Sequence, residues 1–216
     1  MKPELIKEKV APVLFMAAVT FVAITLIGLV DIVTRPAVDR NKTLFQKQAV
    51  CDAAGVAQPG SPEALVAWFD ANVSSVTNAE GAVSYRVAGA NGEPTLVLVQ
   101  QGPGLWGTIT AYVGFDGEAM TIAGVTFQDH VETPGLGARI DEPWFRRQFV
   151  GKSGPFTKLS SEPQDKAAGT REAGAFDQIT GATITSTAVK DIMNKSILRA
   201  RELTTPLEFR EGQHAR

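Results

Sequence analysis

An uninterrupted apolar run near the N-terminus constrains this chain most. Residues Val10–Val30 contain no ionisable side chain, whereas the preceding segment, Met1–Lys9, is rich in charge. About twenty apolar residues in a helix are enough to cross the hydrocarbon core of a bilayer. A cleaved signal peptide is the alternative, but the run is long for one, and Asp31, Arg35 and Pro36 follow it instead of a small-residue cleavage site. We therefore expect an uncleaved membrane anchor.

Charge does not determine the direction in which this anchor is inserted. Positive side chains flank both ends of the apolar run, so the positive-inside rule gives no clear answer. They are Lys2, Lys7 and Lys9 before the run, and Arg35, Arg40, Lys42 and Lys47 after it.

The remaining composition excludes several classes of function. A net charge of −2 without a dense basic stripe argues against a nucleic-acid partner. Cys51 is the single cysteine, so neither an intrachain disulfide nor a cysteine-based zinc or iron–sulfur site can form. Two histidines are too few for a histidine-rich metal centre. We expect no metal site, and any redox chemistry would need an organic cofactor.

Two helical segments are predicted after the anchor. Pro36–Ala57 has the pattern of a helix that leaves the membrane, and Gly55 is placed to end it. Ser61-Pro62-Glu63 is a typical helix start, with a hydroxyl N-cap, a proline in the first turn and an acid near the positive dipole end. Apolar side chains give this second helix a buried face: Leu65, Val66, Trp68, Phe69 and Val73.

Strand signals dominate the middle of the chain and predict an antiparallel meander with one buried face. The predicted strands are Val83–Val87, Pro94–Gln100, Leu105–Phe115 and Met120–Phe127. An Asp116-Gly117 turn joins the last two. Helices are predicted at Glu142–Val150 and from about Ser186 to Leu203, with the polar segment Gly151–Ala175 as a long loop between them. The predicted class is α+β, a single transmembrane helix followed by a soluble domain with an antiparallel sheet flanked by helices.

A threonine-rich stretch, Phe176–Ala188, lies directly ahead of the last predicted helix. Gly181 and Ala182 within it have no side chain large enough to keep a ligand from the backbone. An anion bound there would meet the unpaired N–H groups and the positive dipole end of a helix N-terminus. The alternative is a simple turn that supplies a helix N-cap.

A second segment, His130–Ile140, contains the sequence Glu-Thr-Pro-Gly-Leu-Gly. Pro134, Gly135 and Gly137 permit a tight turn with exposed amides. The alternative is an ordinary connection between a strand and a helix. A lone histidine at a strand end, such as His130, is more often structural or solvated than a proton donor.

These segments resemble the motifs of a known family. Asp177–Thr183 resembles the D-x-x-(S/T)-G-A-T signature at which a flavin transferase attaches FMN to threonine, and Glu132–Gly137 resembles the E-T-P-G-L-G loop of the same group. The family comprises the FMN-carrying C subunit of sodium-pumping NADH:quinone oxidoreductase and the G subunit of the related Rnf complex. Gly102–Trp106 is more similar to the G-x-G-L-W segment of the quinone oxidoreductase protein, although that protein usually has extra residues.

The resemblance implies covalent FMN, held by a phosphoester to Thr183. It implies cofactor contacts from three segments: Thr180, Gly181, Ala182, Thr185 and Ser186 around the attachment site, Glu132, Thr133, Pro134, Gly135, Leu136 and Gly137 in the loop, and Trp106. Leu136 would pack on the flavin ring and Thr133 would bond its polar edge, while Trp106 would stack near the flavin or help to hold the sheet. Asp177 would be recognised by the modifying enzyme, and no catalytic side chain is expected.

The same resemblance implies an electron-transfer subunit of a redox-driven Na+- or H+-translocating NADH:quinone or NADH:ferredoxin oxidoreductase complex. Its partners would be the other membrane, iron–sulfur and flavin subunits, a flavin transferase during maturation, and membrane lipid. It would be a single-pass protein of the cell inner membrane with its soluble domain on the periplasmic side. We expect an N-terminus and anchor over residues 1–33, a helical connector over 34–80, the FMN-binding domain over 81–205 and a tail over 206–216.

Two other functions stay open at the level of the sequence. One is an anchored periplasmic ligand-binding or assembly module without a redox role. The other is a stand-alone extracytoplasmic flavin reductase. No G-x-G-x-x-G fingerprint follows a predicted strand, so we do not expect the chain itself to bind NADH.

Overall fold

The computed structural model describes residues 3–77, 83–89, 94–116, 120–160 and 174–204. The chain divides into two compact units, Met1–Phe45 and Gln46–Arg216. The predicted tail, residues 206–216, and the glycine of the Asp116-Gly117 turn lie outside the described residues.

The N-terminal unit is helical. Helix α1 spans Pro3–Ala53 and continues through Pro36, where we predicted that a separate helix would begin. Its apolar side chains between Val10 and Val33 are almost all exposed, and the Thr25 hydroxyl donates to the Phe21 carbonyl at 2.8 Å. A polar group satisfied within its own helix is what a lipid environment requires. Among the described residues, this is the one helix long and apolar enough to cross a membrane.

The second unit begins with the end of α1 and a second helix. Gly55 has a φ of +69°, the left-handed conformation that ends many helices. Helix α2 spans Pro62–Asn72, and the Ser61 side chain caps it by accepting a bond from the Ala64 amide at 3.2 Å, as predicted. Val73, which we placed on the buried face of this helix, instead begins strand β1 (Val73–Thr77). Most of β1 is exposed, so no alternating pattern marks it in the sequence.

Five antiparallel strands form one sheet in the order β1-β2-β3-β4-β5. After β1, the strands are β2 (Val83–Val87), β3 (Thr95–Pro103), β4 (Thr108–Phe115) and β5 (Ile122–Gln128). This order confirms the predicted α+β class and the meander. The strand predicted from Leu105 begins instead at Thr108, because a turn over residues 104–107 is closed by a 2.7 Å bond from the Gly104 N–H to the Gly107 carbonyl. Trp106 lies in that turn.

The elements after the sheet are short except for the last. In chain order they are a 3-10 helix (Gly137–Asp141), α3 (Pro143–Arg147), β6 (Lys158–Ser160), β7 (Ala175–Asp177) and α4 (Thr183–Thr204). Strands β6 and β7 pair in parallel. Helix α3 is therefore shorter than the predicted helix Glu142–Val150, the predicted loop Gly151–Ala175 contains a strand, and α4 begins before Ser186.

Both faces of the sheet contribute to a core, rather than the single face that we predicted. One core cluster joins β-strand residues to α4 and to an aromatic group, and it includes Leu98, Val113, Phe145, Phe149, Phe156, Phe176, Val189, Ile192 and Met193. The other cluster packs Val97 and Tyr112 against Val50 and Ala53 near the end of α1. A Cβ on Gly114 would lie 2.0 Å from the Ala53 carbonyl oxygen, so glycine is required for this close approach.

Candidate functional site

The N-terminus of α4 forms one side of the candidate site. Thr183 is the first residue of the helix and is exposed. Gly181 has a φ of +77°, which glycine adopts without strain, and the Ala182 N–H donates to the Ile179 carbonyl at 2.9 Å to close the turn. The first turn of a helix has N–H groups without intrahelical acceptors, and its dipole favours negative charge. A phosphate attached to Thr183 would be stabilised at this position.

Buried polar side chains hold this turn in place. The Ser186 hydroxyl is buried, accepts from the Ile179 N–H at 3.1 Å and donates to the Ala182 carbonyl at 2.9 Å. The Gln148 side-chain amide accepts from the Asp177 N–H at 2.8 Å and donates to the Asp177 carbonyl at 3.2 Å. Buried backbone groups need such partners. Gln148 was not predicted, because nothing near it in the sequence indicates a contact with a segment so far along the chain.

The Glu132 carboxylate joins three segments of the site. It is only 5% exposed. Its Oε1 accepts from the N–H groups of Leu105 at 2.8 Å and Trp106 at 3.3 Å, and its Oε2 accepts from the buried Thr185 hydroxyl at 2.6 Å. A Cβ on Gly137 would lie 2.6 Å from Oε2, so the loop passes closely around the carboxylate. The Glu132 carboxylate and the Thr185 hydroxyl therefore make hydrogen bonds within the protein.

The loop over residues 132–137 is a tight turn, as its sequence predicts. The Thr133 carbonyl accepts from the N–H groups of Leu136 and Ala138, both at 3.1 Å. Gly135 has a φ of +75°, which explains why glycine occupies this position. Pro134 and Gly135 are exposed, and so is Thr180 on the neighbouring turn.

Two large apolar side chains stand at the edge of this loop. The Trp106 Nε1–H donates to the Thr133 hydroxyl at 3.1 Å, yet the residue is 69% exposed. A Cβ on Gly181 would lie 3.1 Å from Leu136 Cδ2, so this exposed leucine lies beside the turn that precedes Thr183. The structure thus brings together Trp106, the 132–137 loop and the start of α4.

Three further exposed apolar residues belong to the same segments: Leu105, Val131 and Ile184. Sequence reasoning missed them, because Leu105 and Val131 lie in connecting segments that follow no helix or strand period, and Ile184 lies in the first turn of α4, ahead of the predicted helix start. A concentration of exposed apolar side chains is typical of a ligand or partner site. The arrangement suits a planar aromatic ligand with an anionic end, the anion at the start of α4 and the ring near Trp106 and Leu136.

His130 connects the site to the 3-10 helix that follows it. Its Nε2 lies 2.9 Å from Asp141 Oδ2, and its Nδ1 accepts from the Glu132 N–H at 3.4 Å. The hydrogen bond to Asp141 raises the pKa of His130 against the opposing effect of burial, and the charges of Asp141, Glu132 and Asp129 raise it further. These contacts give His130 a structural role.

Asp177 is placed differently from the other motif residues. It is 1% exposed and lies in β7. In this conformation its carboxylate is not presented to another protein. Recognition of Asp177 by a modifying enzyme stays a prediction that would require local opening of the chain.

Residues 104–198 match the family of FMN-binding domains. The matched segment contains Trp106, the 132–137 loop and Thr183. The residues of this segment fit such a cofactor, since the 132–137 loop bonds the exposed Trp106 indole through Thr133 and lies beside the turn before the exposed Thr183 through Leu136.

The chain is also homologous to the C subunit of the Na+-translocating NADH-quinone reductase. It is 32% identical to the Vibrio vulnificus protein over 170 residues, which is 75% of this chain and 62% of the relative. The Yersinia pestis protein is 35% identical over 118 residues, 51% of this chain and 42% of the relative. The chain therefore spans less than two thirds of the length of these relatives.

Solved structures support the fold. The homologous reductase protein from Parabacteroides distasonis superposes with a TM-score of 0.62 at 25% identity, over 80% of this chain and 98% of the other. The Shewanella oneidensis protein has a TM-score of 0.58 at 21% identity, over 73% of this chain and 91% of the other, and shows the fold alone.

Proposed function

We propose that this chain is a membrane-anchored electron-transfer subunit that carries FMN by a phosphoester to Thr183. Its complex would be a redox-driven Na+- or H+-translocating oxidoreductase that couples NADH to quinone or, in the related Rnf type, to ferredoxin. The observation that carries the proposal is the exposed Thr183 at the first position of α4, within the matched FMN-binding domain.

Attachment of the flavin needs help from outside the chain. A threonine hydroxyl is a weak nucleophile, and no catalytic base is expected here. A flavin transferase would supply an activated flavin phosphoanhydride. A bond would form between Thr183 Oγ1 and the phosphorus of FMN as the phosphoanhydride bond breaks. The other half of the anhydride, a nucleotide, would leave and take up the hydroxyl proton.

The chain's own residues would bind and orient the group once it is attached. The free amides and dipole at the start of α4 stabilise a nearby negative charge by about 0.3–1 kcal/mol. Trp106 and Leu136 offer apolar surface to the ring, and Thr133 offers a polar contact. FMN itself would supply the redox chemistry. Because the covalent bond prevents loss of the cofactor, the site can leave the ring accessible to electron donors and acceptors.

The anchor completes the proposal. Helix α1 would hold the domain at the cell inner membrane, with the domain on the periplasmic side, where the other subunits of the complex would exchange electrons with the flavin. The transferase and membrane lipid would be its further partners. This orientation rests on the family resemblance.

Retention of flavin after denaturation tests this function. Protein purified from its native membrane should keep flavin fluorescence on the polypeptide in a denaturing gel, and Thr183→Ala should lose it. A matched control, Thr77→Ala, removes an exposed threonine of strand β1, outside both motifs, and should keep the fluorescence. A colourless native polypeptide would favour a ligand-binding module without a redox role.

A further inference from the structure

We propose that Glu132 is a positioning residue, a carboxylate that ties the Trp106 turn to the start of α4 so that the exposed indole is fixed beside the flavin site. This inference rests on the proposed function for its purpose, although the tie itself exists in the protein without flavin. It replaces the expectation that Glu132 contacts the cofactor directly.

Both oxygens of Glu132 are used inside the protein. Oε1 accepts from the N–H groups of Leu105 and Trp106 at 2.8 and 3.3 Å, and Oε2 accepts from the Thr185 hydroxyl at 2.6 Å. Bonds between a carboxylate and N–H or O–H donors are stronger than neutral ones. These contacts join residues 27 and 53 positions away from Glu132 in the chain.

The carboxylate is also enclosed by the backbone. A Cβ on Gly104 would lie 2.4 Å from Oε1, and a Cβ on Gly137 would lie 2.6 Å from Oε2. Glycine at both positions makes room for the carboxylate between two turns. With the residue 5% exposed, its side chain cannot swing out to a ligand without breaking all three bonds.

The exposed indole is what this tie fixes. Trp106 is 69% exposed, so little packing restrains it, and the turn that carries it is restrained by the backbone bond to Glu132 and its indole by the Nε1 bond to Thr133. Ordering a free side chain on binding costs free energy, and an aromatic ring held in advance avoids that cost. Glu132 therefore acts on the ligand through Trp106 and Thr133.

Two substitutions test whether Glu132 acts through its hydrogen-bonding geometry or through its charge. Glu132→Gln has nearly the same shape: its amide oxygen can accept from the two N–H groups, and its NH2 can donate to the Thr185 oxygen. Glu132→Ala removes every contact. If the role is positioning, the glutamine variant behaves like the wild type and the alanine variant does not.

The first arm uses the full chain in detergent micelles, produced without a flavin transferase. The order parameter of the Trp106 indole N–H, identified with Trp106→Phe, should be about 0.85 in the wild type and in Glu132→Gln, and should fall below about 0.6 in Glu132→Ala. The signals of Trp68 and Trp144 report whether the variant is folded. An ordered indole in a folded Glu132→Ala, or a mobile indole in Glu132→Gln, would overturn the proposal. Glu63→Ala is the control for loss of a carboxylate on a distant helix.

The second arm uses the same variants produced with the transferase. The visible circular dichroism of the attached flavin should be retained in Glu132→Gln and lost in Glu132→Ala. An unchanged signal in Glu132→Ala would overturn the link between Glu132 and the flavin. If the wild type carries no flavin at all, the proposed function fails, while the first arm still decides whether Glu132 positions Trp106.

Discussion

Glycines shape the candidate site as much as its polar side chains do. Gly104 and Gly137 border the two oxygens of Glu132, where any Cβ would come within 2.4 and 2.6 Å of them. Gly181 and Gly135 instead supply backbone conformations with positive φ on the two facing turns. A methyl group at Gly104 or Gly137 would clash with the carboxylate. A methyl group at Gly135 or Gly181 would instead strain a backbone with positive φ.

Gly137→Ala tests the space around the carboxylate. Its Cβ would lie 2.6 Å from Glu132 Oε2 and 2.7 Å from Thr185 Oγ1, so we expect the free energy of unfolding to fall by about 1–3 kcal/mol, the usual cost of overpacking. Denaturant unfolding of the full chain in constant detergent measures this. Gly60→Ala is the matched control, since nothing lies within 4 Å of a Cβ there. Two variants of equal stability would contradict the packing described.

The raised pKa of His130 leads us to expect that the stability of the protein depends on pH. Its pKa in the folded chain is raised above 6.5, first by the hydrogen bond to Asp141. Since the folded state binds the proton more tightly than the unfolded state, the stabilisation is fully present below about pH 6.5 and is lost as the pH rises through the raised pKa. We expect the melting temperature to fall over that range in the wild type and to fall less in Asp141→Asn. The same pH profile in both proteins would show that this pair does not carry the effect.

At the scale of elements, a side-chain amide joins α4 to the segment before β6. Asn194 Oδ1 accepts from the Phe156 N–H and its Nδ2 donates to the Phe156 carbonyl, both at 2.8 Å. Asn194→Leu would leave these partly buried backbone groups without those partners, and we expect a loss of about 1–3 kcal/mol in unfolding free energy. The exposed Lys195→Ala on the same helix should change it by less than about 0.5 kcal/mol. Equal effects of the two variants, measured by denaturant unfolding, would argue against this role for Asn194.

Elements with a complete local signal were predictable, and those formed by distant partners were not. Helix α2 has a serine N-cap and a proline at its first position, and it begins where the sequence places it. Strand β1 is short and mostly exposed, and it exists through its pairing with β2. Strand β6 likewise depends on β7, which follows it only after a long intervening segment.

At the scale of the whole chain, the two motifs were predictable and the contact between them was not. The resemblance implied that the 132–137 loop and Thr183 belong to one site, but it could not show that Glu132 and Thr185, 53 positions apart, share a hydrogen bond. That bond depends on the tertiary fold, which brings the loop after β5 to the first turn of α4. The exposed residues Val131 and Ile184 come to the site in the same way.

The proposed function of the whole molecule depends on one covalent bond. Without that bond, the protein would be an anchored binding domain with exposed apolar side chains. With it, the same protein would be a carrier of electrons. In this proposal a single substitution would have an all-or-none effect on the bond, because Thr183 would supply its oxygen.

Intact-mass analysis of protein purified from its native membrane tests this claim most directly, with fragment spectra to locate any added group. We predict an added mass equal to FMN less one water on the wild type and on Thr77→Ala, located at Thr183, and no added mass on Thr183→Ala. An unmodified wild-type chain from cells that contain a flavin transferase, or an adduct that persists in Thr183→Ala, would contradict the account.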